Sequence, residues 1–146
     1  MRQALRWIDE SPAHWDADKT RVVGGAPRGA FAPDLGDRRQ GEILPGDWWR
    51  VERDGKVVGY AWMDVTWGDA EILLAVDRAE QGHGVGSFIL QQLEREAMSR
   101  GLRYLYNEVR AEHPQRDEVI AWLCARGFAR KGEEGALLRA PVRVTA

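Results

Sequence analysis

The sequence predicts an α/β (α+β) fold, a mixed and mostly antiparallel central sheet flanked by helices. Three features carry that expectation. Three strand-like segments follow one another through tight turns, an amphipathic helix separates two further strand segments, and a second helix leads into a closing hairpin. At 146 residues, 44% apolar and 30% charged, the chain is long enough to bury one core without disulfides or metal, so a single domain is expected over 1–146. Residues 1–46 read as its loop-rich N-terminal part, 47–130 as its core and 131–146 as its C-terminal hairpin.

Taken in order, Ala4 to Ile8 reads as a short first strand. Ser11-Pro12 reads as a helix start, with serine as N-cap and proline at the first helical position. Arg21 to Gly46 holds six glycines and three prolines with little periodicity and reads as irregular. Trp48 to Arg53 and Val57 to Thr66 are strands joined at Asp54-Gly55, where positive φ is tolerated. Thr66 to Asp69 makes a second turn. Glu71 to Val76 (EILLAV) is a nearly continuous apolar run and so a central strand buried on both faces. In Ser87 to Arg100, Ile89, Leu90, Leu93 and Ala97 recur at helical spacing, and Gly101 ends the helix. Tyr104 to Val109 is a strand that the intervening helix should make parallel to EILLAV. Asp117 to Arg126 is a second helix stopped by Gly127. Phe128 to Arg130 and Leu137 to Val142 close the chain around residues 132–135.

Composition excludes several functions. A net charge of −2 gives no bulk attraction to nucleic acid or an anionic membrane, and neither is expected as a partner. The one cysteine, Cys124, rules out an internal disulfide framework and fits a reducing compartment. His14, His83 and His113 form no cluster of zinc-ligand spacing, so no metal is expected. The first sixteen residues lack a signal-peptide core and no stretch has membrane-spanning length, which points to the cytoplasm. Seven tryptophans suit either sheet packing or an aromatic-walled pocket.

The most informative stretch is Gln81-Gly82-His83-Gly84-Val85-Gly86-Ser87, between the buried strand and the amphipathic helix. Glycines let successive N–H groups converge at a helix N-terminus, where the dipole favours an anion such as a pyrophosphate. A P-loop would need Gly-Lys before Ser or Thr, and no such lysine exists. The dinucleotide fingerprint would need glycine where Ser87 stands, close behind its strand; here Asp77 to Gln81 intervene.

Gln81, Gly84 and Gly86 do match the pattern Gln or Arg, two residues, Gly, one residue, Gly or Ala. The stretch AVDRAEQGHGVGSFILQQLEREAMSRG, followed by WLCARGF, closely resembles the GCN5-related N-acetyltransferase (GNAT) superfamily over about Val57 to Phe128. The resemblance implies a sheet whose parallel strand pair splays to hold acyl-coenzyme A, an acyl group passed to an amine, and acetyl-CoA (acyl-CoA) as the only cofactor. It assigns Gly82, His83, Gly84, Val85, Gly86 and Ser87, with Gln81 beside them, to the pyrophosphate, and the backbone of Leu74, Ala75 and Val76 to the pantetheine arm. His83, at a variable position of the motif, is expected to be exposed beside phosphate and not catalytic.

Two positions depart from the family. The tyrosine that often protonates the leaving thiolate is replaced by Leu123, with Cys124 beside it read as a buried structural thiol. An asparagine that often contacts pantetheine falls on Arg116 or His113, depending on which end the count begins from. For the catalytic groups, Glu71 and Glu108 are the candidate general bases. Tyr106, with Tyr104 on the same face, is the candidate acid. Asp64, Asp69 and Glu71 with Trp62 and Trp67 would suit a cationic amine acceptor, small molecule or protein, and the enzyme is expected to be a monomer or homodimer. The competing class is a CoA-binding regulatory or interaction module without catalysis, and a dinucleotide-binding oxidoreductase fragment is the third.

Overall fold

The computed structural model describes residues 4–25, 39–131 and 137–142. Its elements are β1 (Arg6–Glu10), α1 (Ala17–Val22), β2 (Asp47–Arg53), β3 (Lys56–Thr66), β4 (Asp69–Val76), a 3-10 turn (Arg78–Glu80), α2 (Val85–Ser99), β5 (Tyr104–Glu108), α3 (Arg116–Cys124), β6 (Ala129–Lys131) and β7 (Leu137–Pro141). The strands form one seven-stranded sheet in the order β1-β2-β3-β4-β5-β7-β6. Every neighbouring pair is antiparallel except β4 and β5, which are parallel. This is the mixed, mostly antiparallel sheet that the sequence predicts.

The meander follows from its turns. Asp54 and Gly55 sit at φ 54° and 76°, and Trp67 and Gly68 at 53° and 84°. Two successive left-handed residues turn the chain in the sense that matches strand twist. Period-two alternation then loads both faces of the sheet. Trp48 and Trp49 are consecutive, are 1% and 2% exposed, and belong to opposite cores. Under α2 and α3 the larger core gathers Trp49, Val58, Ile72, Ile89, Leu93, Leu105, Leu123 and Leu138. Burial of each such large apolar side chain stabilises the fold by about 1.5–3 kcal/mol. On the other face α1 and the segment around Leu44 cover Trp15, Trp48, Tyr60 and Ala75. Helix α2 ends as expected: Gly101 stands at φ 69°, its N–H donates to Met98, and Leu102 N–H reaches back to Ala97, a Schellman motif.

Several expectations are corrected. The first strand is Arg6–Glu10, two residues later than Ala4 to Ile8. No helix starts at Ser11-Pro12. Instead, the backbone of Ala13 and Trp15 pairs with Leu44, Glu42 and Gly41, which commits it to an extended form. The helix begins after Asp16, whose carboxylate accepts the Lys19 N–H at 2.8 Å as an N-cap. The Gly/Pro-rich stretch is entered through that helix, and its residues 26–38 lie outside the described ones, as do 132–135 of the closing hairpin. The strand EILLAV is central and packs on both faces as expected, but incompletely: Ala70 and Ile72 are buried in one core and Ala75 in the other, whereas Leu73, Leu74 and Val76 are half-buried. Cys124 is exposed. It follows the buried Leu123 by one residue, about 100° further round the helix.

Lys19 is fully buried. Its ammonium lies 2.6 Å from Glu10 and 3.2 Å from Asp16, and 4.8 Å from the centre of the Tyr60 ring. Burial and the nearby Asp16 and Glu10 carboxylates hold the Tyr60 phenol protonated far above its ordinary range. The cluster ties α1 to β1 and β3 behind the sheet.

Candidate active site

Strands β4 and β5 pair only at Asp69–Tyr104, Ala70–Leu105 and Glu71–Tyr106. Beyond Glu71 the first runs five more residues and the second two more past Tyr106, with no shared register, so the sheet opens as a wedge. Asn107 stands at its apex, its side-chain amide donating to the Ile72 carbonyl at 2.7 Å. Asp77 N–H donates to Val58 on the β3 side, so by alternation the N–H and C=O groups of Ala75 also face β3, while those of Leu74 and Val76 face the wedge.

The wedge leads into a cavity of about 530 Å³, within the size range of small-molecule sites. Its floor is Ile72, Leu74 and Val76, one wall is Val119, Trp122 and Leu123 of α3, and its far end is the glycine turn. At that turn Gly82 and Gly84 stand at φ 80° and 82°, and a Cβ on either would meet no atom within 4 Å. Glycine is needed there for its backbone angle, and the space above the turn is open. Gly84 is the N-cap of α2 and offers no side chain to the first N–H groups, which leaves them to a ligand. Gly86 lies 3.4 Å, measured from a Cβ placed on it, from the Trp122 ring.

Of the residues assigned to the cofactor, Gln81, Gly82, Gly84, Val85, Gly86, Ser87, Leu74 and Val76 line this cavity. Ala75 and His83 do not. Ala75 is 5% exposed and packs into the opposite core, and His83 is exposed outside the cavity wall. Of the two positions left open for the pantetheine-side asparagine, His113 lines the cavity and Arg116 does not. Burial lowers the pKa of His113, and its Nδ1 accepts the Gln115 N–H at 3.0 Å. The neutral ring therefore carries its proton on Nε2. Leu123, at the family's tyrosine position, is buried against the cavity.

The candidate catalytic groups share one face of the sheet. Glu71 and Tyr106 stand at the last paired position before the wedge, in a cross-strand row Asp64–Glu71–Tyr106–Arg139. Glu108 follows two residues further along β5, so alternation puts its side chain on that same face, at the edge of the cavity that it helps to line. Burial raises the Glu71 pKa, Asp64 and Glu108 add to the rise, and Arg110 opposes it. Burial and then Glu71, Asp64 and Asp69 raise that of Tyr106, which stays a protonated phenol at neutral pH. Asp69 shares the face of Glu71, 4.0 Å from Arg103. Of the interleaved tryptophans, Trp62 donates its indole N–H to Pro45, whereas Trp67 projects from the β3–β4 turn, 91% exposed. Sequence reasoning missed Asn107 as the wedge strut and Trp122 and Arg126 as cavity wall. No local motif marks these residues, since three elements must first assemble.

The family model for acetyltransferases of the GNAT family matches residues 26–128. No curated protein matches the chain. Among solved structures, the ribosomal-protein-S18-alanine N-acetyltransferase from Escherichia coli is similar over 98% of this chain and 97% of its own, at 20% identity and a TM-score of 0.65. A protein assigned to the GNAT family from Desulfovibrio desulfuricans covers 96% and 100%, at 17% identity and 0.73. A phosphinothricin acetyltransferase from Sinorhizobium meliloti, solved with acetyl-CoA, covers 66% and 61%, at 20% and 0.56. At these identities the likeness is one of fold.

Proposed function

The chain belongs to the acetyltransferase (GNAT) family, and from that premise we propose that it moves an acetyl group from acetyl-CoA to a primary amine of a small molecule or protein, by direct attack in a ternary complex. The observation that carries the reading is the wedge between β4 and β5, open at Leu74 and Val76 and continuous with the glycine turn through one cavity. The site fits the cofactor on two counts. The turn at Gly82 and Gly84 is free of side-chain atoms where a pyrophosphate must approach, and the wedge exposes β4 backbone where an amide-containing arm would pair as a strand does. When bound, acetyl-CoA supplies a thioester carbonyl activated toward amines.

The remaining chemistry belongs to side chains. An incoming ammonium must lose a proton before it attacks. Glu71, at the apex of the wedge and with a raised pKa, is the base we assign, with Glu108, two residues past Tyr106 on the same face of β5, as the alternative. Tyr106 beside it holds a proton that can pass to the leaving sulfur in place of the tyrosine missing at Leu123. Asp64 and Glu71 give the apex of the wedge negative charge suited to a cationic acceptor.

A thermal-shift titration with acetyl-CoA, CoA and NAD, run beside Gly84→Glu, tests the cofactor. Stabilisation by both CoA species that vanishes in the variant is expected, and no shift with either at millimolar concentration would refute the reading. The buried Leu123 at the tyrosine position favours a second reading, a CoA-binding module without turnover. Release of CoA thiol on addition of amines excludes that module, and binding without release establishes it.

A further inference from the structure

A bound pyrophosphate brings two negative charges to a turn, QGHGVGS, that contains no arginine or lysine. The family signature allows arginine where this chain has Gln81, and His83 does not line the cavity. Backbone N–H groups and the α2 dipole supply only fractional positive charge. The described residues that line the cavity include three glutamates, Glu80, Glu108 and Glu118, and one permanently charged cation, Arg126.

Arg126 is held where that charge is missing. Its guanidinium stacks 4.0 Å above the Trp122 ring, and Trp122 in turn lies against Gly86 in the first turn of α2. One amino group donates to Ser87 Oγ and the other to the Trp122 carbonyl, each at 3.1 Å. Two of its five N–H donors are thus used for positioning. Glu80 is 3.3 Å from Arg53, and no carboxylate among the described residues lies within salt-bridge distance of Arg126. A stacked, half-buried guanidinium with no counter-ion among the described residues, bonded to the helix turn that would hold the phosphates, is prearranged for a diphosphate.

We propose that Arg126 is the side-chain half of the pyrophosphate site, supplying from the end of α3 the cation that position 81 lacks. The assignment rests on the acetyl-CoA reading above and concerns binding, not chemistry.

The test measures affinity of the wild type, Arg126→Gln and Arg126→Lys for three thioesters: acetyl-CoA, acetyl-dephospho-CoA, which lacks only the 3′-phosphate, and acetyl-pantetheine, which has no phosphate. Arg126→Gln is expected to weaken both phosphate-bearing ligands by about tenfold or more, equally, and to leave acetyl-pantetheine within twofold. It should also flatten the salt dependence of acetyl-CoA binding. Arg126→Lys, which keeps the charge but not the stacked fork, should fall between. Three results would overturn the assignment: unchanged acetyl-CoA affinity in Arg126→Gln, a loss confined to acetyl-CoA, which would move the arginine to the 3′-phosphate, or an equal loss for acetyl-pantetheine, which would make its role one of supporting Trp122. A wild type that binds none of the three refutes the coenzyme reading itself, and the arginine assignment with it.

Discussion

Glu71 and His113 are shifted in ways that pH can read. The folded chain holds the Glu71 proton above the ordinary carboxylate range, so a base at this position becomes active only as pH rises through its raised value. The acidic limb of kcat/KM is therefore expected above about pH 4.3, the unperturbed glutamate value. Glu71→Gln should remove that limb and lower kcat by about 10²-fold while sparing acetyl-CoA affinity. If instead Glu108→Gln has that effect and Glu71→Gln does not, the base is Glu108, further toward the open end of the wedge. His113 shifts the other way. Its folded pKa is below the unfolded one, so the unfolded chain takes up the proton first as pH falls. Stability contributed by the neutral ring is present above about pH 6.5 and declines below it. His113→Gln should flatten that part of the stability–pH curve, as measured by melting temperature from pH 5 to 7.5.

At the scale of elements, the glycines separate two kinds of constraint. Gly84 meets open space but needs positive φ, so Gly84→Ala should cost about 1 kcal/mol through backbone strain alone. Gly59 lies on β3 beneath the start of α2, where a Cβ would come within 3.1 Å of Ala75 O, Ile89 Cδ1 and Val85 Cγ1. Gly59→Val should overpack that contact and cost about 2 kcal/mol, which denaturant unfolding would measure. Elements defined by their own periodicity were legible in the sequence: β2, β3, α2 and β5, with the Asp54-Gly55 turn and the Gly101 stop, lie within a few residues of where pattern places them. Helix α1 was misread because Ser11-Pro12 has the composition of a start, while the pairing of Ala13 and Trp15 with residues 41–44 decides the backbone. The glycine turn was legible as an anion site because its chemistry is local. Arg126, Trp122 and Asn107 were not, because their roles exist only after α3 and β5 meet α2 and β4.

For the molecule as a whole, the wedge is an interruption of the sheet held at its apex by one amide. Asn107→Leu removes the donor to Ile72 and is expected to cost about 1 kcal/mol of stability and to raise the KM for acetyl-CoA, because the strands would no longer part at a fixed point. Denaturant unfolding and initial rates check the two effects separately. On the opposite face, the caged Lys19 has a different consequence. The chain has three lysines, and Lys56 and Lys131 are exposed while Lys19 is fully buried. An amine-reactive reagent should therefore modify two side chains of the native protein at once and the third only when α1 lifts from β1 and β3. Followed by mass spectrometry, the delay before the third adduct times that opening, so the protein carries its own clock for the detachment of one layer.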